Sequence, residues 1–375
     1  MNDILLINSL VKGGAEKVAL TITEKSNTQL VTIWDDVEYD IGDRELVCLV
    51  KNRRNTLIDL VFAFFALANY LVKNPDIKVI NSHLFWANYI AITLSFFFKI
   101  NVVATHCVSF TSKFQHTFFK YHFHYLMSKL LLRRAAVNVF KSEAMKIEYE
   151  KKFKIYSSKV IYNPIDFDNI KRLSEKEPNF YFDENKKYIL MVGRFHKTKC
   201  QEKMIKCVAQ IPLNHEVIFL GEGERLEYCK NLAFDLRVNE RCHFLGVVDN
   251  PYSFYRNCDY YISFSISEGF PNALLEAIFL KCYVFHSDCL TGPREILTRG
   301  DTVLSSLLYS NSYEKYSEGV LFDPFDEQSF LDSFFDYLDK NENQGKVELD
   351  SNPYLRSKNE IANEYRNLIN SFVVN

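Results

Sequence analysis

The sequence predicts an α/β protein built from two Rossmann-like, doubly wound domains that face each other across a cleft. Short β-branched or aliphatic runs alternate with helical stretches along the chain, which is typical of βα units around a parallel sheet. The chain has 375 residues, enough for two domains of about 150 residues each. The βα rhythm also stops once and restarts, which divides the chain into two halves.

The first half, residues 1–166, is predicted to be one domain. Its candidate strands are Ile4–Asn8, Gln29–Trp34, Lys78–Asn81, Val102–Thr105 and Ala136–Phe140. Its candidate helices are Glu16–Thr23, Trp86–Phe98 and Glu143–Lys152.

A polar, charged segment with Pro178 follows, and we predict that residues 167–187 are a linker. The rhythm restarts in residues 188–352, the predicted second domain. Its candidate strands are Tyr188–Val192, Glu216–Leu220 and Tyr260–Phe264, and its candidate helices are Gln201–Ala209 and Arg225–Phe234. Residues 353–375 carry Ile361, Tyr365, Ile369 and Phe372 at helical spacing, and we expect this last helix to pack back on the first domain.

Composition excludes several classes of protein. Hydrophobic residues make up 47% and charged residues 25%, which is ordinary for a globular chain, and a net charge of −2 argues against a general nucleic-acid binder. The nine cysteines form no C-x-x-C pair and the N-terminus resembles a first strand, so we expect reduced thiols in a cytoplasmic protein. The spacing of Cys282, His286 and Cys289 comes nearest to a metal site, but a buried strand between them favours a structural role.

Two apolar runs, Leu57–Val72 and Leu84–Phe98, fall short of the roughly 20 residues that span a bilayer. We predict that both are buried helices.

The stretch from Lys113 to Lys154 is basic and aromatic. It holds ten Lys and Arg against three Glu, interleaved with Phe and Tyr. Such a stretch suits binding at an anionic membrane surface. The alternative is an ordinary helix pair whose Phe and Leu residues face the core. The membrane interpretation predicts a peripheral protein on the cytoplasmic face of the inner membrane.

The chemistry centres on the segment SISEGFPNALLEAIFLK, which follows an apolar strand and runs into a helix. A strand-to-helix turn of this kind lies at the carboxyl edge of a parallel sheet, where α/β proteins bind ligands. Glu268 and Glu276 flank the turn, so two carboxylates can hold opposite ends of one polar ligand. Alternatively, Glu268 only complements the helix dipole and Glu276 is a solvated helix residue.

This E-x7-E pattern, with G-F-P-N inside it, resembles the hallmark of the retaining glycosyltransferases of family 4, which have the GT-B architecture. Further matches follow in family order: Gly13-Gly14-Ala15-Glu16 after Lys12, Ser82-His83, Thr105-His106, Ser142-Glu143, Asn163-Pro164-Ile165-Asp166, Gly193-Arg194 with Lys199, Gly221-Glu222-Gly223 and Gly292-Pro293-Arg294-Glu295. The resemblance covers nearly the whole chain.

The resemblance implies a donor site in the second domain. Arg194 and Lys199 would neutralise the donor diphosphate without a metal or other cofactor, which agrees with the lack of a D-x-D signature. Glu276 would hold the ribose hydroxyls, and Glu268 would lie against the transferred sugar. The remaining implied donor-binding positions are Gly221, Gly269, Phe270, Pro271, Asn272, Ala273, Leu274 and Leu275.

In the first domain, the resemblance gives His106 a donor-sugar or acceptor role, although a lone histidine there is more often structural. The implied catalytic set is then Glu268, His106, Arg194 and Lys199. Gly13 and Gly14 follow the first strand and are expected to contact the acceptor or a phosphate.

The function implied is transfer of a hexose or N-acetylhexosamine from a nucleotide sugar to a saccharide acceptor. UDP is the expected nucleotide, with GDP second, and the acceptor is expected to be lipid-linked, in surface polysaccharide, lipopolysaccharide or glycan biosynthesis. Two alternatives stay open: a nucleotide-sugar 2-epimerase of the same architecture, and a non-catalytic partner of another transferase. Two departures stand out. Cys200 replaces the usual Gly or Asn, and Leu226 replaces the third glycine of a dinucleotide fingerprint, so the sequence gives no support for a nicotinamide cofactor.

Overall fold

The structure is a computed structural model that describes residues 2–11, 13–24, 28–42, 44–53, 55–115, 117–341 and 352–373. The chain divides into two compact units. Unit 1 comprises Met1–Pro164 together with Arg356–Asn375, and unit 2 comprises Ile165–Leu355.

Unit 1 is a seven-stranded parallel sheet with helices on both faces. Its strands are β1 (Asp3–Ile7), β2 (Gln29–Trp34), β3 (Leu46–Val50), β4 (Val79–His83), β5 (Asn101–His106), β6 (Val137–Phe140) and β7 (Ser158–Val160). Its helices are α1 (Gly14–Thr23), α2 (Thr56–Lys73), α3 (Phe85–Leu94), α4 (Phe110–Phe114), α5 (Phe118–Leu131) and α6 (Glu143–Phe153), and the C-terminal α14 (Lys358–Val373). The strand order is β3-β2-β1-β4-β5-β6-β7.

Alternation along β1 builds the two cores of unit 1. Ile4 and Leu6 join the core under α2 and α3, whereas Leu5 and Ile7 join a second core with α1 and α14. Helix α14 is fixed to the sheet by polar contacts as well: Lys141 Nζ donates to the Tyr365 hydroxyl at 2.7 Å. The last helix therefore belongs to unit 1.

Unit 2 repeats the architecture with strand order β10-β9-β8-β11-β12-β14-β13, in which only β13 is antiparallel. Its strands are β8 (Lys187–Val192), β9 (His215–Leu220), β10 (Cys242–Phe244), β11 (Tyr260–Ser263), β12 (Tyr283–Ser287), β13 (Tyr313–Lys315) and β14 (Gly319–Phe322). Its helices are α7 (Phe167–Ser174), α8 (Gln201–Val208), α9 (Leu226–Asp235), α10 (Tyr252–Asn257), α11 (Asn272–Phe279), α12 (Pro293–Leu297) and α13 (Glu327–Asn341). The prediction of two Rossmann-like parallel-sheet domains is confirmed.

Several expectations need correction. Residues 167–174, expected in the linker, form α7, which packs on α10 and accepts a hydrogen bond from Asn250 at Leu173 O (2.8 Å). The run Leu57–Val72 is not a fully buried helix: α2 buries Asp59, Ala63, Leu67 and Leu71, and Leu60, Phe64, Ala68 and Tyr70 pack against the core while partly buried. Its exposed large apolar side chains are Leu57, Ile58, Val61, Phe62, Phe65 and Val72. Helix α2 is also long and apolar enough to cross a membrane by length and composition alone, which is weak evidence by itself.

Candidate functional site

Two loops at the carboxyl edge of unit 2 pack backbone against backbone. Phe195 N, after β8, donates to Glu222 O, after β9, at 2.8 Å. Gly221 has φ +137°, and a Cβ atom added to it would lie 2.2 Å from the carbonyl oxygen of Gly193. Gly223 has φ +150°, and its added Cβ would lie 2.4 Å from Phe195 O. Only glycine permits so close an approach of the two loops.

This packing changes the interpretation of Gly221. Its N–H donates to Gly246 O at 2.7 Å, so that N–H is already engaged within the protein. Gly221 therefore shapes the loop. Because its N–H already donates to Gly246 O, it is less able to donate a hydrogen bond to a ligand than the resemblance implies.

Cys200 ends the loop that begins at Gly193. Its φ of 52° and ψ of 42° lie in the left-handed region, which glycine and asparagine adopt most easily among common residues. The backbone thus explains why this position prefers Gly or Asn, and shows that Cys200 keeps the same turn. Lys199 immediately precedes Cys200, which is the N-cap residue of α8.

Lys199 and Glu268 form the central contact of the site. Lys199 Nζ donates to Glu268 Oε1 at 2.5 Å, with 29% of the lysine side chain and 11% of the glutamate side chain exposed. The two residues follow β8 and β11, which are neighbours in the sheet. The topology therefore brings together two members of the catalytic set that the resemblance implies.

The electrostatics of Glu268 follow from this contact. Burial raises its pKa, but the positive charge of Lys199 and hydrogen bonds from Lys199 and Ser265 outweigh burial and lower the pKa below its usual value. Glu268 is therefore a carboxylate at neutral pH, and its ionised state depends on its neighbours.

The segment after β12 braces the turn that carries Glu268. Ser287 Oγ donates to Ser265 O at 2.5 Å, and Thr291 Oγ1 donates to Glu268 O at 2.6 Å. Gly292 has φ +97°, and an added Cβ would lie 2.7 Å from Pro271 Cδ. The backbone of the turn is thus held from one side by side-chain hydroxyls and by close glycine packing.

A buried ion-pair network holds that bracing segment. Arg294 donates from Nε and Nη2 to Asp288 Oδ2 at 3.0 and 2.8 Å, and from Nη1 to Glu314 Oε2 at 2.8 Å. The same Asp288 oxygen accepts the backbone N–H groups of Ser306 and Leu307, each at 3.0 Å. The weaker G-P-R-E match in the sequence is therefore a structural brace.

Helix α11 begins directly after the turn. Pro271 occupies its N-cap position and Phe270 is buried against the ring of Tyr354. Glu276 is one turn into the helix, is half-buried, and its Oε1 accepts the Tyr252 hydroxyl at 3.4 Å. Glu276 is therefore held at the site and is not a fully solvated helix residue.

The backbone of α11 separates the remaining implied donor positions. Leu275 N donates to Pro271 O at 3.3 Å, so this N–H is used inside the helix, although the resemblance implies that Leu275 binds the donor. The side chains of Leu274 and Leu275 are fully buried, whereas Asn272 and Ala273 are half-buried and Gly269 is buried in the turn. Asn272 to Leu274 form the first turn of the helix, at the carboxyl edge of the sheet.

Arg194 lies at the same edge of the sheet, and its side chain is exposed. Its carbonyl oxygen accepts the buried Gln201 Nε2 at 3.0 Å, which fixes the backbone on which the guanidinium is mounted.

In unit 1, His106 ends β5 with 3% of its surface exposed and its ring stacked on Phe140. Its Nε2 is 3.0 Å from Asn138 Oδ1, whose amide nitrogen donates to Leu132 O, so Nε2 carries the proton. Burial lowers the pKa of His106 to about 4, and the contact with Asn138 opposes this. His106 is therefore neutral and has Nδ1 left as an acceptor.

The Gly13 loop ends β1 and begins α1. Gly13 O accepts the Tyr39 hydroxyl at 3.0 Å, and the Glu16 carboxylate is packed so closely that a Cβ on Gly13 would lie 2.4 Å from it. Gly14 is the first residue of α1, and Lys12 of the same motif lies outside the described residues.

Comparison with known proteins decides the class of this site. Residues 174–347 match the family described as Glycosyl transferases group 1. The chain carries a glycosyltransferase group 1 domain. It is 27% identical over 327 residues (84% of this chain, 88% of the relative) to the N-acetylgalactosamine-N,N'-diacetylbacillosaminyl-diphospho-undecaprenol 4-alpha-N-acetylgalactosaminyltransferase of Campylobacter jejuni serotype O:2.

Two further proteins extend the comparison. The capsular polysaccharide biosynthesis glycosyltransferase CapH of Staphylococcus aureus is 26% identical over 233 residues, 58% of this chain and 61% of CapH. The crystal structure of Anabaena HepE in complex with UDP gives a TM-score of 0.74 at 16% identity, covering 99% of this chain and 100% of HepE. The likeness to HepE concerns the fold, and the glycosyltransferase prediction is confirmed at the level of the group 1 domain.

Within the part of the chain that the structure describes, no group of three or more His, Cys, Asp or Glu residues is placed to hold a metal ion. Cys282 instead donates from Sγ to Tyr255 O at 2.8 Å.

Sequence reasoning missed the residues that support the group 1 domain site from behind. Thr291, Ser287 and Asp288 act through contacts with residues about 20 positions away in sequence, and Tyr252 reaches Glu276 from another helix. The only sequence signal was the S-D-C-L-T-G-P-R run, which follows a strand and holds small polar residues beside a glycine.

The glycine packing leads to a stability prediction. Gly221→Ala is expected to lower the free energy of unfolding of the group 1 domain by about 2–4 kcal/mol, because the new Cβ strains the backbone and meets Gly193 O. Urea unfolding followed by circular dichroism measures this change. Gly42→Ala is the control, since Gly42 also has positive φ (58°) but has no atom within 4 Å of its added Cβ. Equal losses in both variants would contradict the packing argument.

Proposed function

We propose that the protein is a retaining, metal-independent glycosyltransferase of family 4. It transfers a hexose or N-acetylhexosamine from a UDP-sugar to a lipid-linked saccharide. The observation that carries this proposal is the Lys199–Glu268 contact at the carboxyl edge of the group 1 domain, with Arg194 and Glu276 at the same edge.

The donor diphosphate would lie beside Arg194 and Lys199. A planar guanidinium and a flexible ammonium together can neutralise the charge that develops on the leaving diphosphate, which makes the catalysis electrostatic. The half-buried Glu276 would accept hydrogen bonds from the ribose hydroxyls, with Tyr252 holding its carboxylate in place. The structures of HepE with UDP and with UDP-glucose support UDP as the nucleotide.

The transferred sugar would lie between Glu268 and the first turn of α11. The ionised carboxylate of Glu268 accepts hydrogen bonds from sugar hydroxyls and stabilises positive charge at the anomeric carbon. We propose that the diphosphate leaves as the acceptor hydroxyl enters on the same face, and that a diphosphate oxygen takes the proton. His106, neutral with an acceptor nitrogen, is proposed to bind the saccharide acceptor within unit 1.

The acceptor is proposed to bind at the Gly13–Gly14 loop of unit 1. The Glu16 carboxylate packed against Gly13 disfavours a phosphate there and suits the hydroxyl groups of a saccharide. The Campylobacter relative is named for a diphospho-undecaprenol acceptor, which supports a saccharide carried on a lipid.

We propose that the helices on one face of unit 1 bind the membrane that holds this acceptor. Helix α5 exposes Phe119, Phe123, Leu126 and Leu130, which recur at i, i+4, i+7 and i+11 and so form one stripe. Phe119 is 87% exposed and Leu130 is 63% exposed. These side chains are exposed and do not face the core. The stripe therefore supports the membrane interpretation over the alternative of a helix pair whose Phe and Leu residues face the core.

Helix α2 extends the apolar surface. Ile58, Val61, Phe62 and Phe65 are each at least half exposed, while Ala63 and Leu67 hold the opposite side of the helix in the core. The exposed Phe97 contacts Phe64 of α2, with ring centroids 6.5 Å apart. Because α2 is one layer of unit 1, it would lie in the plane of the membrane surface and not cross the bilayer.

Charge makes this surface specific for anionic lipid. The 66 residues from Ile77 to Ser142 contain no Asp or Glu and eight Lys or Arg. Lys113, Lys120, Lys129, Arg133 and Arg134 are exposed, and the Arg134 guanidinium lies 5.4 Å from the ring centroid of the exposed Phe96. Each basic residue near an anionic bilayer contributes about 1 kcal/mol.

A thermal-shift panel of UDP, GDP, ADP and CMP, each with and without EDTA, tests the donor class. We expect UDP to raise the melting temperature selectively and equally with EDTA, because a ligand at 100 times its Kd stabilises by about 2.7 kcal/mol. Loss of the shift with EDTA would contradict metal independence. No shift with any nucleotide would favour a non-catalytic partner, and an isomerised sugar released without acceptor would favour an epimerase.

Two substitutions separate ground-state from transition-state binding. Arg194→Ala is expected to lower kcat about a hundredfold with little change in donor KM, because leaving-group charge grows in the transition state. Glu276→Ala is expected to raise donor KM about tenfold or more with a smaller change in kcat. Steady-state kinetics on a lipid-linked acceptor measure both. Glu227→Ala, on the exposed surface of α9, is the control, and loss of folding in both site variants would contradict the assignment.

Sedimentation with liposomes tests the membrane surface. We expect binding to vesicles of phosphatidylglycerol at low salt and about tenfold weaker binding for Phe119→Glu. This change removes an apolar side chain that would enter the bilayer, and it adds a negative charge that the anionic lipid repels. Phe234→Glu is the matched control, because Phe234 is 71% exposed but lies on α9 of unit 2. The proposal fails if the wild-type protein ignores these vesicles, or if both variants lose binding equally.

A further inference from the structure

His286 is a buried titratable residue that the proposed reaction does not use. It lies near the end of β12, has no exposed surface, and pairs in register with Ser263 of β11. Its Nδ1 lies 2.8 Å from Ser287 O. A carbonyl oxygen only accepts, so Nδ1 carries a proton.

The other ring nitrogen is left with an unmet hydrogen bond. Nε2 of His286 is buried and has no partner among the described residues. An unmet buried polar atom destabilises a folded protein, so its presence beside a ligand site calls for an explanation. Burial lowers the pKa of His286 to about 4, against the influence of Glu268, and the ring is therefore neutral with a lone pair on Nε2.

The charged and titratable groups around His286 come from three elements. Lys199 precedes α8, Glu268 follows β11, and Asp288 directly follows β12, the strand that carries His286. Asp288 is neutralised by Arg294. Burial raises the pKa values of the neighbouring Tyr261 hydroxyl and Cys289 thiol, so both stay uncharged. The charges that respond to a ligand at this site are therefore those of Lys199 and Glu268.

Lys199 has two demands on it. In this structure its ammonium neutralises Glu268 at 2.5 Å. In the proposed reaction the same ammonium neutralises the donor diphosphate, which carries more negative charge than one carboxylate. When the diphosphate attracts Lys199, Glu268 is left as a carboxylate with 11% exposure and a weakened counter-charge, a state that buried carboxylates avoid.

We propose that His286 takes up a proton at Nε2 when the donor diphosphate draws Lys199 away from Glu268. The imidazolium then replaces the ammonium as the counter-charge of Glu268. The proton comes from solvent, no bond other than N–H forms, and the proton returns to solvent when the diphosphate leaves. This inference rests on the proposed function and makes His286 a positioning residue that keeps Glu268 ionised throughout the donor-bound state.

The sign of the pH dependence follows from linkage. Between the low pKa of His286 in the free protein and its higher pKa in the complex, binding consumes a proton. The contribution of His286 therefore strengthens nucleotide binding as the pH falls from 8 towards 5.5. Below the pKa of about 4 in the free protein, both states are protonated and this contribution becomes constant.

Isothermal titration with UDP tests the proposal. Binding is measured at pH 6 and pH 7 in pairs of buffers that differ in ionisation enthalpy, which gives the number of protons taken up per UDP. UDP itself titrates in this range, so the result is the difference between wild-type protein and His286→Gln. We expect the wild type to take up nearly one more proton than His286→Gln at pH 6.

His215→Gln is the matched control. His215 is also buried, also has an unpartnered Nε2 and a pKa lowered to about 4 by burial, but it begins β9 at the opposite edge of the sheet. We expect this variant to take up as many protons as the wild type. Equal uptake by wild type and His286→Gln overturns the inference, and so does an equal loss in both variants.

Two outcomes separate this inference from the proposed function. If UDP does not bind the wild type at all, the proposed donor site fails. If UDP binds and His286→Gln matches the wild type, only the role of His286 fails. Should His286→Gln not fold, NMR titration of carbon-13-labelled histidine rings in the wild type gives the answer: one buried ring must gain a higher pKa with UDP, and unchanged titration of every ring overturns the proposal.

Discussion

The contact between Lys199 and Glu268 is the interaction on which the site in unit 2 depends. Each residue lies at the end of a different strand, and neither charge is fully hydrated. Removing either partner would leave the other charge poorly compensated, which costs far more than the pair itself gains. The pair therefore ties the loop after β8 to the turn after β11, and any ligand that competes for Lys199 changes the electrostatics of Glu268.

The Lys199–Glu268 contact has its geometry because the main chain around it is closely packed. Gly221 and Gly223 let one loop rest on the carbonyl groups of another, and Gly292 lets the segment after β12 approach the turn at Pro271. Hydroxyl groups of Ser287 and Thr291 then meet carbonyl oxygens of the turn. Functional side chains are thus mounted on closely packed main chain, which limits the motion of their charges.

The sequence predicted the parts that depend on local pattern. The strand Gln29–Trp34 was predicted with its observed bounds, and the E-x7-E spacing identified the turn that carries Glu268 and the helix that carries Glu276. Strand β7 has only three residues, which is too short for a clear periodic signal. Helix α7 has Phe167, Ile170 and Leu173 at helical spacing, but it is short and begins the polar stretch that was predicted to be a linker. The bond from Thr291 to Glu268 joins residues 23 positions apart, and no local pattern encodes it. The unpaired nitrogen of His286 is likewise a property of packing alone.

Helix α2 shows a second limit of prediction from local sequence. An apolar run predicts that its side chains avoid water, but it does not say whether the protein core or another surface covers them. Residues 1–185 hold 24 basic and 20 acidic residues and the remainder 21 and 27, so the net charge of −2 hides an excess of +4 and one of −6. In unit 1 the positive excess coincides with exposed Phe and Leu side chains on α5 and with the apolar face of α2. A purely apolar surface would favour aggregation and a purely basic one would bind any polyanion. A protein surface that is both apolar and basic favours a binding partner whose exterior is anionic and whose interior is apolar. A bilayer of anionic lipid has both properties.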